Sequence, residues 1–75
     1  MKVIFYGVDE QRIGSVTLID GKPKYTGRAE FIVESLPFVT EPGTLRQLTP
    51  DDGEAWLLAI PFEFRSLYLS AEILR

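Results

Sequence analysis

The chain has 75 residues, 45% of them apolar and 25% charged, nine aromatic side chains and a net charge of −3. That composition fits one small hydrophobic core and excludes a disordered chain or a second domain. Cysteine and histidine are both absent, which excludes disulfides, a structural zinc site, a thiol nucleophile and a serine-histidine-carboxylate triad, so any catalysis would rest on carboxylates, Lys, Arg or Tyr.

At the start, "MKVIFYGVDE" carries one lysine and a short apolar run. The run is too short for a signal-peptide core or a membrane span, which leads to the expectation of a protein that is neither exported nor membrane-bound. The lack of cysteine agrees with a cytoplasmic location. Residues 2–8, rich in β-branched and aromatic types, read as a strand, and so do residues 12–19, where Ile13, Ser15, Thr17 and Ile19 alternate with Gly14, Val16 and Leu18. Asp20-Gly21 tolerates the positive φ of a two-residue turn, so a third strand at about 22–26 folds back onto the second. Pro23 lacks a ladder donor and places that third strand at an edge.

From Arg28 the period changes. Ala29, Ile32, Val33 and Leu36 recur at helical spacing, and Pro37 stops the pattern, which predicts an amphipathic helix over about 28–36. Residues 37–48 contain Pro42 and Gly43 and read as a surface connection. Thr49 and Pro50 have the chemistry of an N-cap and a first helical position, and a second helix is expected over about 50–60, ending before Pro61. Its buried face is expected to hold Ala55, Leu58 and Ala59, widened by Trp56, Leu57 and Ile60. In "SLYLSAEIL", Leu67, Leu69, Ala71 and Ile73 alternate with Tyr68, Ser70, Glu72 and Leu74, which predicts a last strand over about 66–74. The fold class expected is α+β: an N-terminal three-stranded antiparallel meander, two short helices and a C-terminal strand that rejoins the sheet.

Four groups of residues are candidate sites. Asp51, Asp52 and Glu54 form an acidic cluster in "LTPDDGEAW". Such carboxylates could serve a divalent-cation-dependent hydrolase, but a calcium-loop spacing is missing and helical geometry spreads the three over roughly 300°. Convergence on an ion would need Glu41, Glu63 or Glu72 as well, and the better reading is complementation of a helix N-terminus. Gly7, Gly14 and Gly21 lack the close spacing of a phosphate loop. The first two read as bulges or close backbone approaches, and no cofactor is implied.

The basic residues are unevenly spread: residues 1–28 hold five basic and three acidic side chains, and residues 29–75 hold three basic and eight acidic. Lys2, Arg12, Lys22, Lys24 and Arg28, with Tyr6 and Tyr25 nearby, suggest a basic sheet face able to bind single-stranded nucleic acid, the weaker reading for a chain of negative net charge. Finally, "PFEFRSLYLS" concentrates aromatics around an arginine, the types enriched at interface cores. Phe62, Phe64, Arg65 and Tyr68 are therefore the candidate anchors of a protein contact, either a homodimer seam or a surface for another protein.

With "RIGSVTLIDGKPKYTG" near the start and "LTPDDGEAWLLAIPFEFRSLYLSAE" near the end, the chain resembles a group of small bacterial proteins of comparable ending and no assigned activity. The resemblance implies a bacterial single-domain protein and carries over no functional residues. The function expected from the residues is that of a small non-catalytic protein-binding module, an adaptor, regulator or antitoxin-like partner.

Overall fold

The computed structural model describes residues 1–36, 48–65 and 69–75. Strands β1 (Lys2–Tyr6), β2 (Arg12–Ile19) and β3 (Lys22–Gly27) form an antiparallel meander, followed by helix α1 (Ala29–Glu34), a 3-10 turn at Pro50–Asp52, helix α2 (Glu54–Arg65) and strand β4 (Ser70–Leu74). The last strand returns to pair antiparallel with β1, giving the order β3-β2-β1-β4. The fold is therefore α+β, as the sequence predicts.

Local chemistry accounts for the meander. Asp20 and Gly21 both adopt positive φ, 52° and 76°, the geometry of a turn whose twist matches its flanking strands. Pro23 falls on β3, an edge strand, where its missing donor breaks no inner ladder. Between β1 and β2 the register shifts: Phe5 faces Gly14, but Tyr6 faces Arg12, leaving Ile13 as the extra residue of a bulge.

Gly14 and Gly27 lie opposite each other in the β2–β3 ladder. A Cβ on Gly14 would meet the Thr26 carbonyl oxygen at 2.5 Å and the Ala29 amide nitrogen at 2.8 Å. The backbone of β2 thus packs directly under the start of α1, where the Arg28 N–H donates to the Ile13 carbonyl at 3.0 Å. Only glycine leaves room for that approach.

Both helices cover the same face of the sheet. Val3, Phe5, Val16, Ala29, Leu36, Trp56, Leu57, Ile60 and Phe64 form the buried core, with Ile13, Leu18, Tyr25, Ile32, Val33, Leu48, Leu69, Ala71 and Ile73 packed against it. The α1 face read from the sequence is the face it buries, and so are the described inward positions of β4.

Helix α2 differs from expectation in three ways. Its start is divided: Pro50–Asp52 form a 3-10 turn capped by Thr49, and Gly53, at φ 64° and ψ −131°, redirects the chain before the α-helix begins at Glu54. Its end lies at Arg65, past Pro61, which sits inside the helix. Its buried residues are Trp56, Leu57, Ile60, Pro61 and Phe64, whereas Ala55 is exposed and Leu58 and Ala59 are half-buried.

One cause links the last two differences. An interior proline removes a backbone hydrogen bond and crowds the preceding turn, at a cost of about 3 kcal/mol. Continuing the helix brings Pro61 and Phe64 onto the core, and burying a side chain as large as Phe gains about 1.5–3 kcal/mol, more than alanines can offer at positions 55 and 59. The last strand is correspondingly shorter than expected, beginning at Ser70, and residues 66–68 of the predicted span lie outside the described residues.

Candidate functional site

Among the described residues both helices lie on one face of the sheet, and the strand registers assign the residues of the other. Lys24, Thr17, Lys2 and Leu74 form one row across the four strands; Thr26, Ser15, Ile4 and Glu72 form the next. Arg12, Tyr6 and Ser70 make a third row toward one end, and Lys22 opposite Ile19 closes the other. None of these side chains belongs to the core cluster under the helices.

The bulge at Ile13 is what brings Arg12 here. In unbroken alternation Arg12 would share the covered face with Gly14 and Val16; the extra residue returns Ile13 to the core and turns Arg12 outward beside Tyr6. The Arg12 guanidinium reaches the Ser15 hydroxyl at 3.5 Å, and Ser15 shares a 2.6 Å hydrogen bond with the Thr26 hydroxyl. This polar pairing satisfies Ser15, which is fully buried although neither described helix lies on its side of the sheet. Ile4, next to it in the same row, is also buried.

Four cations therefore share one face: Lys2, Arg12, Lys22 and Lys24. Glu72 is the one acid within the three rows and the end pair, and its carboxylate accepts a long 3.4 Å bond from the Tyr6 hydroxyl. Of the exposed large apolar side chains, Ile19 (50%) and Leu74 (41%) lie on the same face. The helix layer carries the opposite charge, with Glu30, Glu34, Asp51 and Glu54 exposed. A surface depression lined by Tyr6, Glu10 and Ser70 marks one end of the sheet face.

Of the nucleic-acid candidates, Lys2, Arg12 and Lys24 come together on this face, joined by Lys22. Arg28 does not join them: it caps α1 at the β3–α1 junction. Tyr25 points the other way and packs on the core, where desolvation, then the nearby charges of Glu30 and Glu34, raise its phenol pKa above the ordinary value. Among the described residues the face thus keeps a single aromatic, Tyr6, for stacking.

The interface candidates are separated by helix geometry. Phe64 is fully buried, its ring centroid 4.6 Å from that of Phe5, so it belongs to the core and cannot anchor a surface contact. Phe62 is 71% exposed on the outer side of α2, and the Arg65 guanidinium lies over its ring, 5.5 Å from the centroid. Tyr68 lies outside the described residues. Phe31 of α1, 73% exposed, is a second outward aromatic that helical phase alone could have identified, since it falls outside the Ala29, Ile32, Val33, Leu36 stripe.

The acidic cluster is divided by Gly53. Asp52 accepts the Thr49 backbone N–H at 2.7 Å and sits 3.4 Å from the Thr49 hydroxyl, a reciprocal arrangement that satisfies donors otherwise unpaired at a helix start. Asp51 is exposed, and Glu54 lies in the first turn of α2. Among the described residues no three acidic side chains are grouped so as to hold a metal ion, and Glu41 lies outside them.

Among the described residues no helix is long and apolar enough to cross a membrane. Compared with family models, curated proteins and solved structures, the chain matches none.

Proposed function

We propose that this chain is a small non-catalytic protein-binding module, of the adaptor, regulator or antitoxin-like kind, and that it docks through the face of its sheet opposite the two described helices. The observation that carries the reading is the gathering of Lys2, Arg12, Lys22 and Lys24 with the apolar Ile19 and Leu74 on the side that neither helix covers. Mixed charged and apolar side chains on one sheet face suit a protein surface. A single-stranded nucleic acid is less well matched, since bases bind on successive aromatic platforms and Tyr6 is the one aromatic presented among the described residues.

A homodimer would use a different surface. A two-fold contact places the same patch on both copies, so joining two sheet faces would oppose lysine to lysine and arginine. The outer side of α2 presents the exposed Phe62 under one cation, Arg65, in place of four clustered cations, and is the proposed seam.

A photo-reactive residue placed at Thr17, in the middle of the sheet face, tests the binding reading in the cells that make the protein. A discrete protein adduct at position 17, absent when the probe replaces Glu54 on the helix layer, is the expected result. No adduct at position 17, or the same set from both positions, would overturn it.

A further inference from the structure

Resting on the protein-binding reading, we infer that the partner contributes an extended acidic segment, and that it docks at one corner of the sheet face, where Lys2, Lys22 and Lys24 surround Thr17 and Ile19. The registers define this corner. Thr17 of β2 lies directly between Lys24 of β3 and Lys2 of β1, and Ile19 pairs with Lys22. With neighbouring strands about 4.8 Å apart, Lys2 and Lys24 stand roughly 10 Å from each other across Thr17, and Lys22 and Lys24 follow one another along β3 at about 6.7 Å. Alternate side chains of an extended peptide recur at that same spacing, so two glutamates on one side of a partner strand match the lysines of β3.

Three features distinguish the corner from an ordinary solvated surface. Lysines on edge strands commonly guard against aggregation, which accounts for Lys22 and Lys24 on β3, but Lys2 lies on β1, an inner strand with neighbours on both sides. No ion pair links Lys2, Lys22 or Lys24 to another described residue, so their charge is available to a ligand. Apolar contact is offered on the same surface: Ile19 is half exposed beside Lys22, and Leu74 continues the row beyond Lys2. Charge with apolar area fits an acidic peptide carrying aliphatic residues and gives little to a chain of phosphates.

A fluorescein-labelled twelve-residue peptide repeating Glu-Ser-Glu-Ser-Leu-Ser, which sets its glutamates and leucines on one side of an extended chain, is the probe, read by fluorescence anisotropy at 50 and 300 mM NaCl. The expected result is saturable binding that weakens at least fivefold at the higher salt, falls at least fivefold in Lys24→Glu and in Lys2→Glu, and survives in Lys24→Arg. A peptide with Gln for Glu should not bind. Emission from Trp56 reports whether each variant is folded, and Glu54→Lys on the helix layer should leave peptide affinity within twofold.

Absence of peptide binding at low salt would overturn the inference, as would equal affinity for the Gln peptide. Tighter binding of a twenty-nucleotide thymidylate at the same lysines would replace the acidic peptide with a nucleic acid. Concentration-dependent self-association lost in Lys24→Glu would replace it with a second copy. A Thr17 adduct that persists unchanged in Lys2→Glu and Lys24→Glu would overturn the inference while leaving the binding reading intact.

Discussion

Truncating Phe64 and Phe62 separately distinguishes a core position from a surface one only two residues away. Phe64 has no exposed surface and packs on Phe5. Replacing a buried phenylalanine with alanine costs about 3–5 kcal/mol, including the cavity left behind. A domain of this size rarely has more than about 3–5 kcal/mol in total, so Phe64→Ala should be largely unfolded in water. Phe62 is mostly solvated, and Phe62→Ala removes at most its contact with Arg65, about 0.5–1 kcal/mol at an exposed site.

The expected difference between the two variants is therefore about 2–4 kcal/mol. Urea unfolding followed by the emission of Trp56, the one tryptophan and itself buried, measures it. With a slope near 1 kcal/mol per molar urea, Phe62→Ala should keep a midpoint of roughly 2–4 M, whereas Phe64→Ala should show little folded baseline even in water. Phe64→Leu, which keeps most of the apolar volume, should lose about 1.5 kcal/mol or less and remain folded. Equal midpoints for the two alanine variants, or a Phe64→Ala protein as stable as wild type, would refute the assignment of Phe64 to the core.

Gly14→Ala should destabilise by about 2–4 kcal/mol, because its Cβ meets backbone atoms and the Arg28-to-Ile13 bond must lengthen; Gly21→Ala, with open space around it, should cost only the roughly 1–2 kcal/mol of a left-handed residue. Thermal melts of the two compare them directly, and equal losses would contradict the close packing of β2 under α1. Adding millimolar Mg²⁺, Mn²⁺ or Ca²⁺ should leave the melting temperature unchanged, since Asp52 is committed to Thr49 and no acidic triad is assembled among the described residues; a ligand that binds the native state would raise it. The Tyr25 phenol should titrate above an ordinary tyrosine by NMR. Its folded pKa is raised, so its stabilising contribution is complete below pH 10 and is lost as pH climbs from 10 through the folded value. Glu30→Gln with Glu34→Gln should bring that pKa part of the way down, leaving the larger effect of burial.

The sequence by itself determined the elements whose causes are local. Asp20-Gly21 forces the β2–β3 turn, Pro23 restricts β3 to an edge, the Ala29, Ile32, Val33, Leu36 stripe defines one side of α1, and Thr49-Pro50 opens a helical turn. Each depends on a residue's own backbone chemistry or on a short periodic pattern. Only the tertiary structure decided what depends on packing.

"PFEFR" shows the limit most directly. Read as extended chain, Phe62 and Phe64 share a side; on a helix carried through Pro61 they lie about 200° apart, so one enters the core and the other faces solvent with Arg65. Local rules end the helix at Pro61, and burying Pro61 and Phe64 together offsets the cost of carrying it on. The sheet face depends on non-local structure in the same way. Strict alternation assigns Arg12 to the covered side, but a single extra residue at Ile13 reverses it, and pairing with a strand dozens of residues away completes the row that holds Lys2. The basic residues were legible as a composition; their common face required the bulge, the registers and two helices on one side.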